Sequence, residues 1–137
     1  MKPNASAHWL QPASLRLLRW SSWVVVVAVA VLSLVPGSLR PHVTTADKAE
    51  HFAAYLVLAA LFALGYHRRV AVTLIGVLLM GYAAALEAGQ LFVPGRAVSF
   101  ADFAWSAAGV WCGIAMAWLV RWLANQIHWP TSEMDRS

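Results

Sequence analysis

The sequence predicts an all-α membrane protein with four transmembrane helices, at about residues 17–35, 47–66, 70–90 and 100–120, and with both termini cytoplasmic. Composition is the first reason. Of 137 residues, 61% are apolar and 12% are charged, whereas a soluble domain has roughly 45–50% and about 25%. That leaves too little charge to cover a soluble surface and too much apolar mass for a disordered chain. The second reason is that the apolar residues gather in four segments, each closed by a turn or a charge. The third is the uneven placement of Lys and Arg. At ~20 residues per span the length suits four helices in a single domain, 1–137, with 1–16 and 124–137 as polar or interfacial tails.

The first segment, 17–35, is rich in valine and closes at Pro36-Gly37. In water its β-branched run would favour a strand. In lipid the backbone must satisfy its own hydrogen bonds, which favours a helix. Lys2, Arg16 and Arg19 form a basic lead-in, but the apolar run exceeds a signal-peptide h-region and no small-x-small cleavage site follows. It is therefore read as a retained helix. The stretch before it either lies along the membrane surface or has no fixed structure.

The second segment, 52–66, would reach only ~22 Å as a helix, short of a ~30 Å hydrocarbon core. It must extend backwards through Asp47-Lys48-Ala49-Glu50-His51. The third segment, 70–86, closes at Glu87, and the fourth, 103–120, at Arg121. The alternation of a transmembrane β-barrel is absent.

Orientation follows from the bases. Lys2, Arg16, Arg19, Arg68, Arg69, Arg121 and Arg136 flank one side of the four segments; Arg40, Lys48 and Arg96 flank the other. The positive-inside rule puts the first group, and both termini, in the cytoplasm. The net charge of +4 is thus a topology signal with weak attraction to anionic lipid, and no nucleic-acid-binding motif accompanies it. Most of the eight tryptophans read as interfacial anchors. The single cysteine, Cys112, excludes an internal disulfide framework.

The expected outer side carries a constellation of polar residues. Asp47, His51 and Tyr55 follow i, i+4, i+8 spacing and share a helix face, with Lys48 beside them. Glu87 and Gln90 lie one turn apart, followed by the Pro94-Gly95 turn, Arg96, and Ser99-Phe100-Ala101-Asp102. Thr44-x-x-Asp47 and Ser99-x-x-Asp102 also match capping boxes, so either aspartate could serve only its helix start. Read as a site, Lys48, Arg96, His51 and two helix N-termini would suit a phosphate or carboxylate. Asp47, Glu87, Asp102 and His51 could instead hold a divalent metal, but no ligand-spacing motif supports that, and neither a metal nor a cofactor is assigned. Ser106, Gly109 and Gly113 form a small-residue face for close packing against a helix of this chain or of a second copy.

Asp47-Lys48-x-x-His51-Phe52-x-x-Tyr55, Glu87-x-x-Gln90, Pro94-Gly95-Arg96, Ser99-x-x-Asp102 and Gly109-x-x-x-Gly113 resemble the signature of VanZ-like membrane proteins over about residues 47–113. One departure is Ser106, where the family commonly has Asn; a hydroxyl has less reach than an amide. The resemblance implies a multi-pass bacterial inner-membrane protein of the cell envelope, in a family whose founding member is associated with resistance to teicoplanin.

The leading functional reading is a non-enzymatic protein that binds the anionic group of a membrane lipid or lipid-linked envelope precursor at its outer face. The candidate residues are Asp47, Lys48, His51, Tyr55, Glu87, Gln90, Arg96, Ser99, Asp102 and Ser106. A membrane enzyme acting on a polyprenyl-phosphate lipid, with His51 or a carboxylate as base, is the alternative. A third reading is an interaction subunit, or a homo-oligomer, joined through the Gly109/Gly113 face.

Overall fold

The computed structural model describes residues 12–36, 38, 46–66 and 68–127, with only the backbone of 46, 47 and 127. Four helices fill them: α1 (Pro12–Ser33), α2 (Ala46–Gly65), α3 (Arg69–Gly89) and α4 (Phe100–Ile127), with a 3-10 turn at Gln90–Phe92. All four are long and apolar enough to cross a membrane. The expected all-α class with four membrane-capable helices is the observed one among the described residues.

Two boundaries differ from expectation. α1 starts at Pro12 rather than near 17, with proline at the helix start, where its missing N–H would have no partner anyway. The stretch 12–16 is therefore helix and not tail. α4 runs to Ile127 rather than ending near 120, so 124–127 also leaves the expected tail. Arg121 does not stop α4, because its side chain finds acceptors on α2.

The central helix is α2, which packs on each of the other three. Leu58, Ala59 and Ala63 are fully buried, and Tyr55 and Phe62 nearly so. Its closest neighbour is α4. A methyl group at Gly109 would collide with the Phe52 carbonyl oxygen, and one at Gly113 with that of Leu56. Backbone therefore meets backbone, as small-residue faces in membranes allow. Arg121 reaches Leu64 eight residues further on, across the same separation of 57 residues. The constant offset means that α2 and α4 run parallel, with both N-termini at one end of the bundle. Of the two partners considered for the glycine face, the occupant is α2 of the same chain.

α3 lies against α4 and α2 along Val72, Gly76, Leu79, Ala83 and Glu87, spaced four, three, four and four. That stripe carries a carboxylate into the bundle at its last member. α1 is peripheral and buries only Ser22 and Val29, while Val24, Val27 and Val31 are exposed, as suits a lipid-facing surface.

Polar side chains, more than apolar area, attach α1, and all of them bond to main-chain oxygens. The Tyr82 hydroxyl donates to Val26 O at 2.6 Å. Arg96 donates through Nε to Val35 O at 3.3 Å and through Nη2 to Leu32 O and Ser33 O at 3.2 and 3.1 Å. Gln90 Nε2 donates to Ser33 O at 3.3 Å. At the other end, Arg19 Nε of α1 donates to Gly65 O at 3.0 Å, and its guanidinium lies over the Tyr66 ring. Arg121 of α4 donates to Ala63 O and Leu64 O. The last carbonyls of α1 and α2, which have no acceptor role left inside their helices, are thus met by arginines. Aromatic pairs occupy both ends: Trp23 meets Phe62 edge-on at 5.4 Å, and Phe52 meets Trp105 at 6.1 Å. Cys112 is a free, exposed thiol.

Candidate functional site

Because α2 and α4 run parallel and α3 antiparallel to both, the N-terminal turns of α2 and α4 meet the C-terminal turn of α3. His51, Glu87 and Asp102, one from each, come together there. One ligand-capable atom from each lies within 4.8 Å of the other two. His51 and Asp102 are partly buried, and Glu87 is only 7% exposed. None of the three spacings along the chain announces this, since each residue belongs to a different helix.

The loop 93–99 supports the arrangement. Val93-Pro94-Gly95-Arg96 closes a turn through the Arg96 N–H and Val93 O at 3.2 Å, with Gly95 at φ 75. Proline followed by glycine at positive φ is the type II signature. The turn sends Arg96 towards α1 and brings Ser99 to the start of α4. There the Ser99 N–H donates to Glu87 Oε1, and Ser99 Oγ accepts the Asp102 N–H at 3.3 Å. The second of these bonds is half of the expected capping box. A carboxylate from α3 thereby sits at the positive end of α4, where Asp102 also lies.

The ten sequence candidates sort into groups. His51, Glu87 and Asp102 converge. Tyr55, 3% exposed, lies one turn below His51, close enough to Glu87 and Tyr82 to interact electrostatically. Gln90 and Arg96 bond to the end of α1, and Ser99 caps α4. Ser106 is buried and donates to Asp102 O at 2.9 Å, four residues back in its own helix. Its hydroxyl is thereby held within α4, as its short reach suggests. Lys48 is exposed and has no ion pair among the described residues. The Asp47 backbone is in the first turn of α2, and its side chain lies outside the described residues.

Two oxygens stand out. Glu87 accepts only the Ser99 N–H, which leaves its second carboxylate oxygen without a hydrogen-bond partner among the described residues. The Tyr55 hydroxyl, deeper still, has none there either. Buried polar groups are ordinarily paired.

A cleft of about 330 Å³ between α1 and α2 opens at this end. Ser33, Glu50, His51 and Tyr55 supply polar lining, and Val29, Leu32, Ala53 and Ala54 the apolar part. Glu87 also borders a second groove of about 410 Å³, with Leu91, Val98, Phe100 and Phe103, between α3 and α4. The cluster therefore lies between two openings. Ser33 and Glu50 were not among the sequence candidates. Glu50 neighbours His51 in a charged helix turn, which was the available signal; Ser33 has no local sign.

Among known proteins, a family model described as VanZ/LLP1 matches residues 7–121. No curated protein and no solved structure matches the chain.

Proposed function

The chain belongs to the VanZ/LLP1 family, and on that premise we propose that it binds the anionic headgroup of an envelope lipid or lipid-linked glycan precursor at the outer face of a bacterial inner membrane. The observation that carries this reading is the 330 Å³ cleft. It is polar at the end of the bundle and apolar further down, the pattern an amphiphile requires. Its headgroup would lie by His51, which lines the cleft, near the positive N-terminal turns of α2 and α4, with Lys48 exposed in the first turn of α2. Arg96, assigned to the same ligand from sequence, also donates to the main chain at the end of α1.

The test uses the protein in nanodiscs with polyprenyl phosphate and with neutral polyprenol. The phosphate binds saturably and the alcohol does not, and Lys48→Ala and His51→Ala each weaken binding without lowering the melting temperature. Equal binding of both lipids, or binding indifferent to both substitutions, removes the reading. A link to teicoplanin resistance belongs to the same proposal: deleting the gene in its host changes teicoplanin susceptibility, and wild type restores it where His51→Ala does not.

A second reading, a membrane enzyme acting on a polyprenyl-phosphate lipid, draws on the two carboxylates beside His51, which could orient an imidazole as general base. Turnover of polyprenyl phosphate abolished by His51→Ala would favour it over binding alone.

A further inference from the structure

We propose that His51, Glu87 and Asp102 form a binding site for one divalent first-row cation, Zn²⁺ or Mn²⁺. The three donors come from three helices and already lie within 4.8 Å of one another. A metal at about 2.0–2.2 Å from each would draw the three donors closer together than they now stand. One imidazole with two carboxylates suits these ions better than Mg²⁺ or Ca²⁺, which prefer oxygen alone.

A second observation points to a ligand independently of the clustering. Glu87 is more than nine-tenths buried, yet one of its carboxylate oxygens has no hydrogen-bond partner among the described residues. Asp102 offers a second carboxylate alongside, and its side chain has no bonded partner among them either. Two carboxylates brought side by side repel each other. A divalent cation between them would offset that repulsion.

Three protein ligands leave coordination positions open, as in catalytic metal sites. A phosphate oxygen could complete them. That explains how a site with two acids tolerates an anionic headgroup, and this last step rests on the reading under Proposed function. The metal itself does not.

The experiment titrates Zn²⁺ and Mn²⁺ into metal-stripped Cys112→Ser protein in nanodiscs; the substitution removes an exposed thiol that could capture zinc. One equivalent binds saturably. Glu87→Gln retains an acceptor for the Ser99 N–H, and with Asp102→Asn it lowers affinity beyond the roughly 10–100-fold expected for an outer-shell residue. Should Glu87→Gln fail to fold, Asp102→Asn decides, since that carboxylate has no bonded partner among the described residues. Absence of a one-equivalent site, or affinity unchanged in the folded variants, overturns the proposal. Polyprenyl phosphate is next added with metal and with EDTA. Metal binding with lipid binding indifferent to EDTA leaves the cation and removes its bridging role. Lipid binding without any metal site leaves the headgroup reading and removes the cation.

Discussion

Replacing Arg96 by alanine distinguishes a helix cap from a ligand-binding residue. Its guanidinium donates to Leu32 O at 3.2 Å, Ser33 O at 3.1 Å and Val35 O at 3.3 Å. A hydrogen bond from a charged donor contributes about 1.5–3 kcal/mol, and a cation at a helix C-terminus adds about 0.3–1 kcal/mol. The three bonds share one group at the polar boundary and are long for N–H···O, so they do not add in full. One strong bond plus the dipole contribution sets the scale, about 2–4 kcal/mol for docking the end of α1. With only Ser22 and Val29 buried on α1, little apolar area offsets the loss. At 1.4 kcal/mol per decade, the last turn of α1 should open roughly 30- to 700-fold more often. Hydrogen exchange at the Leu34 amide, which donates to Ala30 O, reads that opening in nanodiscs. Arg96→Lys keeps the charge without the fork and recovers only the dipole part. Unchanged exchange in Arg96→Ala, together with lost polyprenyl-phosphate binding, would refute the cap and return the guanidinium to the ligand.

Other outcomes follow from the same geometry. Gly109→Leu and Gly113→Leu separate α2 from α4 and should abolish a cooperative melt in detergent, whereas Gly81→Leu, with open space around its Cα, should not. Tyr82→Phe removes the 2.6 Å bond to Val26 O and should cost about 0.5–1.5 kcal/mol, a small fall in melting temperature. Ser99→Ala removes the cap of α4 and should cost about 1 kcal/mol by the same measurement. A fluorescent protein fused to the C-terminus should fluoresce and a phosphatase fused there should be inactive, as cytoplasmic termini require.

The four spans were legible because lipid imposes one simple rule on hydropathy and backbone alike. Charge misled at both outer boundaries: Arg16 and Arg121 read as helix limits, yet both stand inside helices. The small-residue face of α4 was legible, but its partner was not, since any apolar helix can offer a carbonyl ridge. The buried stripe of α3 ends at Glu87 at regular helical spacing, so the carboxylate's burial could have been read directly. Arg96 could not, because its acceptors are main-chain oxygens of α1, which no side-chain pattern reports. The meeting of His51, Glu87 and Asp102 depends on the parallel course of α2 and α4, a property of topology rather than of motif.

Attaching α1 through main-chain oxygens has a consequence for how this helix can change over generations. The atom to which Tyr82, Gln90 and Arg96 bond is one that every amino acid possesses. Substitutions along most of α1 therefore leave its moorings intact, provided that the chain stays helical and apolar. The side chains that hold the C-terminal half of α1 are encoded elsewhere, between 82 and 96, while Arg19 and Trp23 hold its other half from within the helix. The C-terminal half of the first helix is thus free to drift in sequence, while α2, α3 and α4 keep the polar end unaltered.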